Sequence, residues 1–380
     1  MELLPVYTPL GFDPLGLLAP IADALSGEGP AVAPHAHPDQ SFNGSLANDD
    51  VAAVISTSGS TGTPKQTMLS VDALAASSMG TATELKAEGQ WLLALPVHYV
   101  AGFQVLVRSL YAGTRPWAMD LTKQFTGEAF TDAAEELTDR IRLTSLVPTQ
   151  LHRLLTDPSP RTLKVLQRFD SILIGGAPIS PKLLTEAHKH GLNVVRTYGM
   201  SETCGGCVYN GVPLPGVHLS NDEGTLWIGG DTLAEGYLGQ PELTSEHFPF
   251  HSGRRWFRSG DVGDINDGAL TIQGRTDDVL TTGGVKVSAA AVVRVLEECV
   301  GVREAYVTGL PHDEWGTEVA AAVVGNAPLQ ELCQQVRTEL GPEAVPKKVL
   351  VLDRLPLLAN GKTDRQQLRL LLERCPDPHL

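Results

Sequence analysis

The strongest constraint on this chain is a ten-residue stretch set directly after an apolar run. It reads Ser56-Thr57-Ser58-Gly59-Ser60-Thr61-Gly62-Thr63-Pro64-Lys65 and follows Val51 to Ile55, which reads as a buried strand. Gly59 and Gly62 let the backbone come close to a ligand. The N–H groups of the loop and the hydroxyls of Thr57, Ser58, Ser60 and Thr61 can then cradle phosphate oxygens. Lys65 places a positive charge at the loop's end. A Walker A loop does not fit. Counted from Gly59 it needs Gly at 64 and Ser or Thr at 66, where this chain has Pro64 and Gln66. A solvated Ser/Gly linker is the plain alternative, but a linker rarely follows a buried strand directly and rarely ends in Pro-Lys.

An anion-binding loop must be reconciled with an acidic chain. The 380 residues hold 29 basic and 44 acidic side chains, a net charge of −15. That balance argues against a general nucleic-acid or anionic-membrane surface, while leaving room for an anionic ligand in a locally positive site. The length allows two or more domains with sizeable cores. Five unevenly spaced cysteines form no disulfide framework. Met1-Glu2-Leu3-Leu4-Pro5 shows no basic region before an apolar core, so no signal peptide is expected. No apolar run reaches the roughly 18 residues of a membrane span. A soluble cytoplasmic protein is the default expectation.

Taken in order, the chain alternates strands and helices. A helix is expected near Leu17 to Leu25, and Gly27 to Asn48 reads as loop. Val71 to Leu85 reads as a helix and Trp91 to Pro96 as a short strand. His98 to Leu110 has near-helical apolar spacing. Ile141 to Val147 reads as a strand, and Pro148-Thr149 opens a helix with Leu151, Leu154 and Leu155 on one face. Ser171 to Ile174 is a strand, and Val194-Val195 leads to Tyr198-Gly199. This alternation predicts a mainly parallel sheet covered on both faces, with ligands at the carboxyl ends of its strands. From Gly216 to Gly274 short strands and Gly turns predict an antiparallel region. Beyond Asp277 a smaller α+β pattern follows: helices over Ala289 to Cys299 and Leu329 to Leu340, strands over Ala305 to Leu310 and Val319 to Val324. The expected fold is therefore α/β, a large domain over 1–277 and a small mobile α+β domain over 278–380.

Further stretches carry candidate chemistry. Tyr198-Gly199-Met200-Ser201-Glu202 sets an aromatic ring, a hydroxyl and a carboxylate within five residues. Gly175-Gly176-Ala177 closes a strand. Arg258-Ser259-Gly260-Asp261 and Gly274-Arg275-Thr276-Asp277 place charges in Gly turns. Pro356-Leu357-Leu358-Ala359-Asn360-Gly361-Lys362-Thr363-Asp364-Arg365 lies near the end. Singly, each has a plain reading as an ordinary turn, a solvated carboxylate or a solvated lysine. Cys204-Gly205-Gly206-Cys207 has metal or redox spacing but no second pair, and reads as packing. His188 and His190 flank Lys189 at a charged helix end and read as solvated.

In order and spacing, these motifs resemble those of the acyl-adenylate-forming superfamily of acyl-CoA synthetases, peptide-synthetase adenylation domains and luciferases. Its phosphate loop is T-S-G-T-T-G-x-P-K-G. Positions 57 to 65 match it with Ser60 as a conservative change, and Gln66 replaces the last glycine. The resemblance covers roughly 51 to 370. It implies that Tyr198 stacks on adenine beside Gly175, Gly176 and Ala177, that Ser201 meets phosphate, and that Glu202 helps hold Mg²⁺. A hard cation suits an oxygen ligand. Asp261 would take the ribose hydroxyls, for which a carboxylate acceptor is suited. Arg275 would reach the nucleotide, Asp277 would be the hinge, and Lys362 the catalytic lysine of adenylation. Gly283-Gly284 would allow close approach of coenzyme A.

Two departures stand out. The segment before the phosphate loop is short for the superfamily. The usual P-L-F-H-x-x-G appears as Pro96-Val97-His98-Tyr99-Val100-Ala101-Gly102, with the histidine one place early. The short N-terminal region and the run Tyr198 to Cys204 look most like the short, actinobacterial form of o-succinylbenzoate–CoA ligases of menaquinone biosynthesis. The resemblance then implies ATP, Mg²⁺ and coenzyme A, an aromatic diacid substrate near His98, Tyr99, Gly199 and Met200, and no nucleic acid. Arg108, alone among apolar residues, is the candidate partner of the second carboxylate; its plain reading is a surface side chain or a structural ion pair. A homodimer is compatible with the sequence. Another aryl- or acyl-CoA ligase, or a nucleotide-binding relative without turnover, stays open.

Overall fold

The computed structural model describes residues 2–57, 65–222, 224–313, 315–358 and 363–375, with Asp277 described by its backbone alone. The chain forms two compact units. One comprises Met1–Ser220, Trp227–Ser259 and Ile265–Leu270; the other comprises Asn221–Leu226, Gly260–Asp264 and Thr271–Leu380. Among the described residues no helix is long and apolar enough to cross a membrane.

Two sheets of the first unit position the site. In one, the strands Leu3–Tyr7, Ala31–His35, Val51–Thr57, Lys65–Ser70 and Gly236–Tyr237 lie side by side in that order. The first three are parallel, and the last two join antiparallel. Val51 to Ile55 is buried throughout, as its uninterrupted apolar sequence requires. The ladder to Lys65–Ser70 ends with Thr57 opposite Lys65, so the lysine is fixed at a strand start. One expectation is corrected here: Gly27 to Asn48 is not all loop, because Ala31–His35 is a fully buried strand. Pro34 reads as a breaker, yet its missing N–H is tolerated because the strand pairs with Val51–Thr57 through Val32 and Ala53.

The other sheet has seven strands in the order Val212–Pro213, Gly205–Tyr209, Val194–Met200, Ser171–Ile174, Arg142–Leu146, Gln90–Leu93 and Trp117–Ala118. The last five are parallel, and the first two add antiparallel at one edge. Helices Val71–Leu85 and Pro148–Leu155 form where periodicity places them. Pro148–Leu155 buries Leu151, Leu154 and Leu155 against Leu92, Phe130, Leu146 and Ile172. Phe130 stands between Phe125 and Phe169, with ring centroids 6.0 and 5.9 Å away.

In the second unit, Val302–His312, Gly316–Gly325 and Lys348–Leu352 make a three-stranded sheet. Strand alternation gives it two buried faces. Val319, Ala321 and Val323 pack with Val292, Val295 and Val336 from helices Ala289–Glu298 and Leu329–Leu340. Ala320, Ala322 and Val324 pack with Leu368 and Leu372 from helix Arg365–Glu373.

Helix Val100–Tyr111 in the first unit follows the segment Leu95–Pro96 so closely that its third residue must lack a side chain. A Cβ on Gly102 would collide with the carbonyl oxygens of Pro96 and Leu95. Replacing a helical glycine by alanine ordinarily gains roughly 0.5–1 kcal/mol. Here overpacking against backbone reverses the sign, at about 1–3 kcal/mol. Gly102→Ala should lower the midpoint of urea unfolding of this unit; a raised midpoint would show that the helix can lift away freely.

Candidate active site

Lys65 and Glu202 meet on one tyrosine. Glu202 lies in the 3₁₀ turn Ser201–Thr203, is 8% exposed, and its Oε1 accepts a hydrogen bond from the Tyr237 hydroxyl at 2.9 Å. Lys65 Nζ stands over the ring of Tyr237, 5.0 Å from its centroid. His247 Nε2 is 3.5 Å from the same ammonium. A lysine ammonium only donates, so Nε2 is the acceptor, and Nδ1 then carries the proton toward the Arg258 carbonyl at 3.5 Å. Burial raises the Tyr237 phenol well above its ordinary pKa, helped by the Glu202 charge, so the hydroxyl stays a donor.

The turn that carries Glu202 is held from several sides. The strand Val194–Met200 delivers Tyr198 and Gly199, and a Cβ on Gly199 would collide with the Gly205 carbonyl. Met200 N–H donates to Thr203 Oγ1, and Ala234 N–H donates to the Glu202 carbonyl, both at 3.0 Å. Cys204 closes the turn in the left-handed region at φ 52°, and its carbonyl accepts from Ser77 Oγ at 3.0 Å and Gln104 Nε2 at 2.6 Å. Ser201 is buried and Tyr198 half-buried. Gly175 follows the neighbouring parallel strand; a Cβ there would collide with Thr197 Oγ1, and Gly176 adopts φ 81°. Gly175, Gly176 and Ala177 therefore sit beside the Tyr198 segment at adjacent strand ends. Cys204 and Cys207 are fully buried, and burial pushes both thiols far up from their ordinary pKa.

The acid-pocket candidates occupy different ends of one helix. Tyr99 precedes helix Val100–Tyr111, its ring 4.3 Å from that of His98. His98 Nδ1 is 3.3 Å from Thr8 Oγ1, and Nε2 is buried without a partner among the described residues. Burial first, then His37 and His35, push its pKa down to about 4, so the ring is neutral at pH 7. Arg108 lies eight residues beyond Val100, about 12 Å along the axis. It is 7% exposed, with its guanidinium over the Trp91 ring at 5.4 Å. Nη2 donates to Tyr209 Oη at 3.3 Å, Tyr209 and Thr81 Oγ1 are 2.9 Å apart, and Thr81 donates on to the Ser77 carbonyl at 2.8 Å. Among the described residues Arg108 Nε has no partner, and no carboxylate pairs with this cation.

In the second unit Arg275 Nη1 pairs with Asp261 Oδ1 at 3.2 Å. Asp277 lies in the 3₁₀ turn Thr276–Asp278. Gly283 and Gly284, at φ 55° and 83°, make the two-residue turn between the strands Val279–Thr282 and Val285–Ser288, which is where such angles are needed. His190 Nε2 meets Glu186 at 3.2 Å at the end of helix Pro181–Lys189, so it is an ion-pair candidate and not simply solvated. Ser58, Gly59, Ser60, Thr61, Gly62 and Lys362 lie outside the described residues. Thr57 is described, at the strand end.

Residues 19–238 match the AMP-binding enzyme family, and residues 294–362 match the AMP-binding enzyme C-terminal domain. The chain belongs to the AMP-binding enzyme family. This is the acyl-adenylate-forming superfamily that the motifs resemble. The chain is similar to a Mycobacterium tuberculosis (strain H37Rv) protein named "Probable 2-succinylbenzoate–CoA ligase", with 38% identity over 96% of this chain and 97% of that protein. It is also similar to the 2-succinylbenzoate–CoA ligase of Escherichia coli (strain K12), with 31% identity over 84% of this chain and 68% of that protein. Among solved structures it resembles the o-succinylbenzoate coenzyme A synthetase of Bacillus subtilis in complex with ATP and magnesium ion. The TM-score is 0.70 at 25% identity, covering 90% of this chain and 75% of that one.

Sequence reasoning missed Tyr237, His247, Gln104 and Tyr209. Tyr237 carries no motif beyond a preceding glycine, and it reaches the site through strand pairing with Thr67, far away in sequence. The buried, poorly ionised cysteine pair gives a direct check on its packing role. In the native chain a thiol reagent should label Cys299, Cys333 and Cys375, which are partly exposed, and spare Cys204 and Cys207. Fast labelling of either buried cysteine, located by peptide mapping, would restore the redox reading.

Proposed function

We propose that this chain is an AMP-forming acid–coenzyme A ligase whose acid is o-succinylbenzoate. The observation that carries the reaction class is the convergence of Lys65 and Glu202 on Tyr237. A lysine and a carboxylate are held on opposite parts of one tyrosine side chain. The acid is supported by the similarity to 2-succinylbenzoate–CoA ligases and by Arg108, a nearly buried cation with no carboxylate partner among the described residues. ATP and coenzyme A as co-substrates fit a cytoplasmic enzyme.

In the first step a carboxylate oxygen of the acid attacks the α-phosphorus of ATP. The bond from that phosphorus to the bridging oxygen breaks, and pyrophosphate leaves. Lys65 and Lys362 stabilise the charge on the phosphate oxygens. Glu202 would hold Mg²⁺, a hard cation suited to a carboxylate that accepts a neutral hydroxyl and forms no ion pair among the described residues. When bound, Mg²⁺ neutralises phosphate charge. In the second step the sulfur of coenzyme A attacks the acyl carbon, loses its proton, and the bond to AMP breaks. Tyr198 and Gly175 to Ala177 take the adenine. Asp261 and Arg275 take the ribose and phosphate side, and Gly283-Gly284 lies on the coenzyme A path. The domains are proposed as 1–277 and 278–380, pivoting at Asp277.

On either side of residues 359–362, Leu357 bridges Thr363 and Asp364 N–H donates to the Pro356 carbonyl at 2.9 Å. Lys362→Ala should lower ATP–pyrophosphate exchange by roughly 10² or more, the scale of losing a charge-stabilising donor. Thioester formation from preformed acyl-adenylate should survive. In the same two assays Asp277→Pro, which fixes φ near roughly −65°, should show the reverse split. Equal losses in both half-reactions would remove these assignments.

The acid is tested with a pair of substrates. Arg108→Leu should raise KM for o-succinylbenzoate by the equivalent of roughly 2–5 kcal/mol, as for truncating one side of a buried charge pair. A monocarboxylic analogue should be affected far less. Similar losses for both would mean that Arg108 supports the interior through Tyr209 and Trp91 and does not read the second carboxylate.

A further inference from the structure

The geometry points to Tyr237 as a positioning residue that keeps Lys65 and Glu202 close but prevents them from neutralising each other. This rests on the reading of those two residues as phosphate and metal groups. Tyr237 is 2% exposed and cannot swing. Its strand pairs with Lys65–Ser70, and its N–H donates to Thr244 Oγ1 at 2.9 Å. His247 and Phe248 pack on its ring nearly edge-on, with centroids 5.8 and 5.7 Å away. The preceding Gly236, at φ 138°, has no room for a side chain against Thr244.

From this fixed frame the residue makes two different contacts. Its hydroxyl donates to Glu202, giving a mostly buried carboxylate a neutral partner. Its ring face attracts the Lys65 ammonium through the quadrupole, without consuming the charge. A lysine and a glutamate this near would otherwise form a direct ion pair. That pair would occupy the carboxylate meant for a hard cation and the ammonium meant for phosphate. Tyr237 removes the need for it on both sides.

The test uses the full chain, with ATP binding followed by calorimetry at increasing MgCl₂. Tyr237→Phe keeps the ring and loses the hydroxyl. It should raise the Mg²⁺ concentration for half-maximal effect about tenfold, the low end for losing an outer-shell partner, and leave Mg²⁺-free ATP binding unchanged. Tyr237→Leu should also weaken Mg²⁺-free ATP binding about tenfold, as Lys65 withdraws onto Glu202. Adding Glu202→Gln to Tyr237→Leu should restore that Mg²⁺-free affinity, and adding it to Tyr237→Phe should produce no loss beyond Glu202→Gln alone. Melting temperatures of all variants identify any that fail to fold, and Tyr237→Phe, which keeps the packing, carries the decision. Equal weakening with and without Mg²⁺, or additive losses with Glu202→Gln, would make Tyr237 a packing residue and overturn the inference. If instead no thioester forms with o-succinylbenzoate, the substrate reading fails alone, because neither titration contains the acid.

Discussion

The rest of the site depends on giving a hydrogen-bond partner to a carboxylate that is almost out of water. An ionised carboxylate moved into an apolar interior without partners costs many kcal/mol and would take up a proton instead. Glu202 receives a phenol hydrogen bond from a tyrosine whose own ionisation is suppressed. The turn beneath it is equally determined. The Cys204 carbonyl accepts from Ser77 and Gln104, and the Glu202 carbonyl accepts from Ala234. Three separate chain segments, around Ser77, Gln104 and Ala234–Tyr237, thus fix one carboxylate, and a non-glycine residue at positive φ is the cost of the sharp turn.

This arrangement follows from the sheet below it. Parallel strands end together on one side, so Gly175 after Ser171–Ile174 and Tyr198 late in Val194–Met200 arrive as neighbours. Side-chain-free positions then allow the packing. Gly175 admits Thr197, and Gly199 admits the Gly205 carbonyl of the antiparallel edge strand. Lys65 arrives differently, from the other sheet, where an antiparallel ladder fixes it opposite Thr57. The short strand Gly236–Tyr237 pairs on the far side of Lys65–Ser70 and turns a backbone pairing into a contact between the two chemistries.

Local signals made much of this legible. Val71–Leu85, Ser171–Ile174 and Leu329–Leu340 have the bounds that periodicity and turn residues predict. The strand Ala31–His35 was hidden because Pro34 signals a break locally, while burial against Leu3–Tyr7 decides otherwise. Glu202 was legible because tyrosine, glycine, hydroxyl and carboxylate fall within five residues. Tyr237 was not, since a two-residue strand has no periodicity and its value comes from partners at 65 and 202. Gln104 looked like any polar residue in an apolar helix until its Nε2 was seen to hold the Cys204 carbonyl.

The chain's charge explains why such local control is needed. At −15 the protein as a whole opposes an anionic nucleotide. Screening limits that opposition to about 8 Å at physiological ionic strength. Within such a distance the few cations nearest the ligand outweigh the total. A Lys65 paired directly with Glu202 would present a nearly neutral dipole to phosphate. Held on a ring face, it keeps its charge in a partly desolvated setting, where Coulomb attraction is several times stronger than in bulk water. The aromatic spacer thus lets an acidic protein bring a cation and an anion into one small site and keep both available to ligands of opposite charge.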